Sequence, residues 1–172
     1  NMAVTRSRAV KARKVKHRAR RGRPLKNDAT PDMRERILDA AEGLFMEHGF
    51  EATSLRSITA AATVNLAAVN YHFGSKEELF QAVLTRRLDP MNQRRVALLD
   101  RFEREASPEP LSCERIIVAL FVPALELARD PERGGKDFLR LLGRAYADPA
   151  PFIRRFLSEQ YAQMIARFKT AF

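Results

Sequence analysis

Helix starts punctuate the chain after residue 29, and they leave little room for any fold but a helical one. Thr30-Pro31, Asp89-Pro90, Asp130-Pro131 and Asp148-Pro149 share one grammar. Each sets a capping oxygen before a proline whose missing N–H is not needed in the first helical turn. Ser75-Lys76-Glu77-Glu78 adds a capping box, in which Ser75 caps and Glu78 can reach back to the Ser75 N–H. No run alternates apolar and polar residues with β-branched enrichment, and no Asn-Gly pair marks a hairpin. The expected fold class is therefore all-α. Periodicity predicts helices over about 32–48, 54–61, 65–72, 75–88 (resuming after Pro90 to about 105), 112–129, 131–145, and from Pro149 to the last residue. In the first helix, Ile37, Ala41, Leu44, Phe45 and His48 share a face, and Gly49 supplies the stop. Pro123 lies inside the fifth, where the Ala119 carbonyl loses its partner and a kink is expected.

Charge divides the chain sharply. Of 172 residues carrying a net +10, the first 27 hold eleven Lys or Arg and no Asp or Glu. The remainder holds twenty Lys or Arg against twenty-one Asp or Glu, so the body is nearly neutral. Residues 1–29 lack apolar periodicity and are expected to be a disordered basic tail. Such a tail suits a polyanion, with nucleic acid ahead of an anionic membrane. One cysteine and three scattered histidines give no metal-site spacing and no intrachain disulfide. No cofactor is expected. No apolar run reaches the ~18 residues of a membrane span, and no secretory h-region is present, which points to a cytoplasmic setting without a membrane partner.

Residues 53–73 place two short helices around Ala62-Thr63-Val64, the spacing of a helix-turn-helix. Ile58, Ala62, Val64 and Val69 are positioned to hold the pair together. Leu66, Ala67 and Ala68 form a slim outer face that permits close approach to base edges, with methyl groups suited to thymine. Tyr71, His72 and Lys76 follow at the rim, where polar groups would hold phosphates, beside the helix N-terminus at Ser75. The same residues also fit a plainer reading: Tyr71 and Phe73 as core aromatics, and His72 as an exposed helix end.

Two stretches carry a family resemblance. ILDAAEGLFMEHGFEATSLRSI (37–58) resembles the first helix of the TetR/AcrR regulators and its entry to the second. VNYHFGSKEEL (69–79) is similar to the end of their recognition helix and the opening of helix four. Thr63 stands where Gly is usual in the turn, Thr59 where Ala is usual, and Asn70 where Tyr is common. The resemblance implies a three-helix DNA-binding domain over 30–88 and a helical ligand-binding and dimerisation domain over 89–172. It implies that Ser54, Tyr71, His72 and Lys76 hold phosphates, and that Arg56 with Asn65, Leu66, Ala67 and Ala68 faces bases; Asn70 joins this DNA-binding set. NLAAVNYHFGSKEELFQAV with LLGRAYADPAPFIRRFLSEQY (141–161) also resembles the PsrA-type branch, regulators that answer to long-chain fatty acids or their CoA esters. Family members usually continue with two further helices that form the dimer interface, so the second domain is expected to be incomplete at its C-terminus.

In the tail, Arg21-Gly22-Arg23-Pro24 has the core of an AT-hook, which would place Arg21 and Arg23 in an A·T minor groove. The plainer alternative is a solvated, nonspecific polycation. In the second domain, Leu98, Phe102, Ile117, Leu120, Phe121, Phe152 and Phe156 are candidates for an apolar ligand pocket, while apolar stripes of this kind also build ordinary cores. No Ser/His/Asp set, Cys/His pair or glycine-rich phosphate loop is present, so no enzymatic activity is expected. The leading expectation is a homodimeric, ligand-responsive repressor on a palindromic double-stranded operator, released by an apolar effector through helix four. The alternative is an architectural, weakly specific DNA binder driven by its tail.

The tail makes a measurable difference on either reading. Deleting residues 1–27 should flatten the dependence of log K for DNA on log salt by roughly 0.9 for each phosphate the tail neutralises. An unchanged slope in a salt titration would show that the tail does not touch DNA.

Overall fold

The computed structural model describes residues 32–171, which form seven α-helices, with no strand among them. They are α1 (Met33–Ala52), α2 (Leu55–Ala62), α3 (Leu66–Phe73), α4 (Lys76–Ala106), α5 (Cys113–Arg129), α6 (Gly135–Ala147) and α7 (Pro151–Lys169). The Thr30-Pro31 start and the AT-hook-like Arg21 and Arg23 lie outside the described residues.

The first three helices form a head around an aromatic cluster. Phe45 meets Phe80 edge to face at 5.0 Å, and Phe50 lies 5.0 Å from Phe80. Ile37, Ala41, Ile58, Val69, Leu79 and Val83 complete this fully buried core. Gly49 ends the regular part of α1 at φ 81°, and the turn it makes sends Phe50 back into the cluster. The Thr53 hydroxyl locks that turn by donating to the carbonyl of Gly49 at 2.7 Å and of Leu44 at 3.2 Å. His48, expected on the apolar face, is exposed, whereas Ile37, Ala41 and Phe45 of that row are buried and Leu44 packs partly buried against the core.

Helix α4 runs without interruption through Pro90, so the expected restart at Asp89-Pro90 does not occur. Proline removes one backbone donor, yet Leu84, Leu88, Met91, Leu98 and Leu99 are buried on both sides of it. Burying one continuous apolar face outweighs a single lost hydrogen bond. Asp89, read as a cap, instead accepts from Gln160 Nε2 of α7 at 2.7 Å. The other two Asp-Pro steps open turns and not helices. Asp130 Oδ1 accepts from the Glu132 N–H at the start of a single 3-10 turn, Pro131–Arg133, and α6 waits until Gly135. Asp148 Oδ1 accepts from the Ala150 N–H at 2.8 Å, and Pro151 takes the first position of α7. Helix α5 continues through the buried Pro123, and α7 ends at Lys169, short of the last residue.

Helix α4 packs on α1 and α3 at its start and on α5 and α7 beyond, while α6 touches α1, α5 and α7. Charge reinforces these joints. Arg167 of α7 donates to Asp100 at 2.6 Å and to Glu103, and these bonds hold its guanidinium above the ordinary arginine range, Glu103 contributing most. At the α1–α4 joint, the buried Glu42 accepts from Arg87 Nε at 2.6 Å and Nη2 at 3.0 Å, and from Arg86 Nη1 at 3.3 Å. Arg86 also reaches Asp39 at 2.6 Å.

Breaking a buried pair strands the remaining charge. Glu42→Ala should therefore destabilise the fold by about 3 kcal/mol. Urea unfolding reads this directly, and an unchanged midpoint would show that the joint contributes nothing.

Candidate nucleic-acid interface

The helix-turn-helix is held by caps at every end. Ser54 and Ser57 exchange reciprocal bonds at the start of α2: the Ser57 N–H donates to Ser54 Oγ at 3.0 Å, and the Ser54 N–H to Ser57 Oγ at 3.2 Å. At its far end, Arg36 of α1 donates to the carbonyls of Ala62 at 2.6 Å and Thr63 at 3.1 Å. These are the carbonyls that a helix C-terminus leaves without partners. Thr63 adopts a left-handed conformation, φ 54° and ψ 50°, at the position where the family resemblance leads one to expect glycine. Asn65 then caps α3, its Oδ1 accepting from the Ala68 N–H at 2.8 Å.

These caps fix the roll of α3. Val69 and Phe73 point into the head, 0% and 8% exposed. The opposite face presents Leu66, Ala67, Asn70 and Tyr71, and Tyr71 is 85% exposed. That decides the question the sequence left open: Phe73 is core and Tyr71 is not. Ala68, expected on the outer face, is half-buried against the core, because it follows Val69 and Phe73 around the helix. Arg56 of α2 is exposed. His72 is half-buried, its ring 5.1 Å from Tyr71 and edge-on to it.

A three-residue turn joins α3 to α4. Gly74 sits at φ 78°, ψ −63°, and the Ser75 N–H donates to the Phe73 carbonyl at 3.0 Å. This is the rare γ-turn that only glycine adopts without strain. Ser75 caps α4 through the Glu78 N–H at 3.1 Å, as the sequence suggests. The reciprocal half of the capping box is absent. Phe73 already holds the Ser75 N–H, so the Glu78 carboxylate takes the Ser75 hydroxyl instead, at 3.2 Å. The α4 N-terminus, with the positive end of its dipole, thus follows directly on the end of α3. Beside it the Lys76 ammonium stands 4.2 Å above the Phe50 ring, a cation–π contact that fixes its place. Ser54, Arg56, Asn65, Leu66, Ala67, Asn70, Tyr71, His72 and Lys76 thus lie at or between the start of α2 and the first turn of α4, all exposed or half-buried, with Ser54 Oγ and Asn65 Oδ1 already accepting as caps.

Sequence reading missed Arg36 and Phe50. Arg36 holds a turn 26 residues away, and Phe50 lies under Lys76, also 26 residues further along the chain; no local spacing signals either. Phe50 also meets Phe152 of α7 at 5.1 Å with the rings tilted by 54°, which takes Phe152 out of the proposed pocket set and into the head–body contact. Of the other pocket candidates, Leu120 and Phe121 border an open cleft of about 590 Å³ between α4, α5, α6 and α7. Leu98 is buried in the core, Phe102 lies under the Arg115 guanidinium at 5.3 Å, Ile117 is 54% exposed, and Phe156 packs against the core. The seven are not gathered in one place, because an apolar stripe looks the same whether it lines a core or a cleft.

Comparison with known proteins now decides the family. Residues 37–83 match the profile of bacterial regulatory proteins of the tetR family, and residues 118–172 match the tetracyclin repressor-like C-terminal domain. The transcriptional regulator TtgW of Pseudomonas putida is 32% identical over 111 residues, 64% of this chain and 72% of its own length. The chain belongs to the TetR family. The transcriptional repressor BepR of Brucella suis is 32% identical over 139 residues, 80% of this chain, and the chain spans 63% of its length. For the repressor KstR of Rhodococcus jostii the identity is 27% over 139 residues, with 66% of that protein spanned. Among solved structures, a transcriptional regulator of Streptomyces coelicolor superposes with a TM-score of 0.58 at 26% identity, over 83% of this chain and 76% of that one. GusR of Salmonella enterica gives 0.56 at 25% identity, over 78% and 63%. In this TetR-family chain the matched N-terminal region contains the whole of α2, the turn, α3 and the α4 cap.

The γ-turn sets where that cap lies. A Cβ on Gly74 would fall 2.2 Å from Glu78 Oε2 and demand a conformation that L-residues avoid. Gly74→Ala should destabilise the head by about 1–3 kcal/mol, with its effect on thermal unfolding matched by Gly74→Ser. Wild-type stability in either variant would show that the turn is not strained.

Proposed function

We propose that this chain forms the DNA-reading and effector-sensing part of a transcriptional repressor that works as a homodimer on a palindromic operator. One observation carries the reading. The exposed face of α3 is slim at Leu66 and Ala67, polar at Asn70 and Tyr71, and rigidly oriented by Val69 and Phe73 beneath it. A helix of this profile enters the major groove, while His72, Lys76 and the α4 N-terminus reach the flanking phosphates. Arg56 and the first residues of α3 face the bases in this arrangement. The names of the relatives, BepR and KstR among them, support repression. Because they are regulators, they lend nothing to the architectural alternative.

The cleft between α4, α5, α6 and α7 is where an apolar effector would bind, and the PsrA-type resemblance of residues 65–83 and 141–161 favours a long-chain fatty acid or its CoA ester. Release would follow from continuity. Helix α4 carries the phosphate-facing cap at one end and lines the cleft further along, so a ligand that prefers one setting of α4 changes the spacing of two DNA-reading heads. No described helix is long and apolar enough to cross a membrane, in keeping with action at DNA in the cytoplasm.

Phosphate and base contacts separate in mutant binding. Lys76→Ala should weaken operator and random duplex alike and reduce the salt slope by about 1. Ala67→Glu should abolish operator preference. If Lys76→Ala binds DNA as wild type does, the head does not dock as described.

A further inference from the structure

Three polar or charged residues are buried among those described: Glu42, Thr53 and Arg95. Glu42 is neutralised by Arg86 and Arg87, and the Thr53 hydroxyl is bonded to two carbonyls. Arg95 is different. It is 8% exposed, its Nε donates to the Leu120 carbonyl at 2.8 Å, and its Nη1 to Asn92 Oδ1 at 3.0 Å. Both partners are neutral, and no described carboxylate lies within ion-pair distance of it. Nη2 has no partner among the described residues, yet among them no buried polar side-chain atom is sealed off without one, so Nη2 is reached from open space. That space is the cleft of about 590 Å³, which Arg95 lines.

A guanidinium stays charged at any working pH, and burying it without a counter-charge is costly. The rest of the cleft wall is largely apolar, including Leu120, Leu142, Leu157 and Met164, with Tyr146 and Tyr161, and its other polar members, Arg154 and Ser158, are exposed residues of α7. The neighbouring cleft between α4 and α7, about 600 Å³, makes the contrast: its arginine, Arg167, is matched by Asp100 and Glu103. The volume of the Arg95 cleft lies within the roughly 300–1,000 Å³ of small-molecule sites.

We propose that Arg95 is the headgroup site for an amphiphilic anion, whose carboxylate or phosphate supplies the missing counter-charge at Nη2 while its apolar body lies along Leu142, Leu157 and Met164. This rests on the effector half of the proposed function and gives it a residue and a charge. Binding would then place a negative group directly against α4, about five and a half turns beyond the Ser75 cap. The occupied state differs from the empty one in the charge balance of the helix that also ends at the DNA-facing head.

The test is calorimetric titration of the full chain, without DNA, using dodecanoate, dodecyl phosphate, dodecanol and dodecyltrimethylammonium. The expected result is at least tenfold tighter binding of an anion than of the alcohol, with the cation weakest. Whichever anion is preferred identifies the headgroup. Arg95→Met should bring anion and alcohol to equal affinity, and Arg95→Lys should restore part of the difference. The wild-type ratio stands as a test even if Arg95→Met fails to fold. Equal affinity of wild type for anion and alcohol overturns the headgroup site and leaves an apolar effector in place. Binding of none of the four overturns both the site and the effector reading beneath it.

Discussion

Everything described here depends on α4 being one helix. Its 31 residues span roughly 46 Å and belong to two cores at once. Leu79, Phe80 and Val83 close the head, and Leu98 and Leu99 belong to the body. Had the chain broken at Pro90, the head would hang from a hinge, and nothing happening at the body would reach the exposed face of α3 through a stiff element. Buried leucines on both sides of the proline keep the rod intact, and the Asp89–Gln160 bond turns a potential cap into a strut to α7. The Glu42 joint ties the rod to α1 where the head ends, and Arg167 ties it to α7 further along.

A second link runs beside the first. Lys76 rests on Phe50, Phe50 packs at a tilt against Phe152, and Phe152 lies in the first turn of α7, the helix that supplies Leu157, Tyr161 and Met164 to the cleft. The cleft therefore meets Lys76 through two contiguous paths, one along α4 and one through these packed side chains. Spatial continuity is the structural condition for coupling, and two discrete settings of α4 or α7 would be its mechanism.

Much of this was legible in residue order, and the failures have physical causes. The head was readable because its signals are local. Ser75 caps a helix that starts one residue after it, and Gly49 stands where the backbone must turn, whereas the caps at Ser54 and Asn65 emerge only in the fold. The Asp-Pro steps misled because the same side chain that caps a helix also closes a turn or bonds sideways, and only the packing around it chooses. The cleft was unreadable from apolar stripes, since Leu98 and Leu120 look alike in sequence while one is core and the other borders the opening. One signal was available. Arg95 falls in register with the buried Leu88, Met91, Leu98 and Leu99, so a permanent charge occupies a core position of α4.

The central claim is that α3 reads base sequence from a rigid head, and selection from a random duplex pool tests it most directly. The account predicts enrichment of a two-fold repeated half-site, and a change in that half-site when Leu66 or Ala67 is replaced. A pool that stays random after repeated rounds, with retention governed by salt alone, would contradict it.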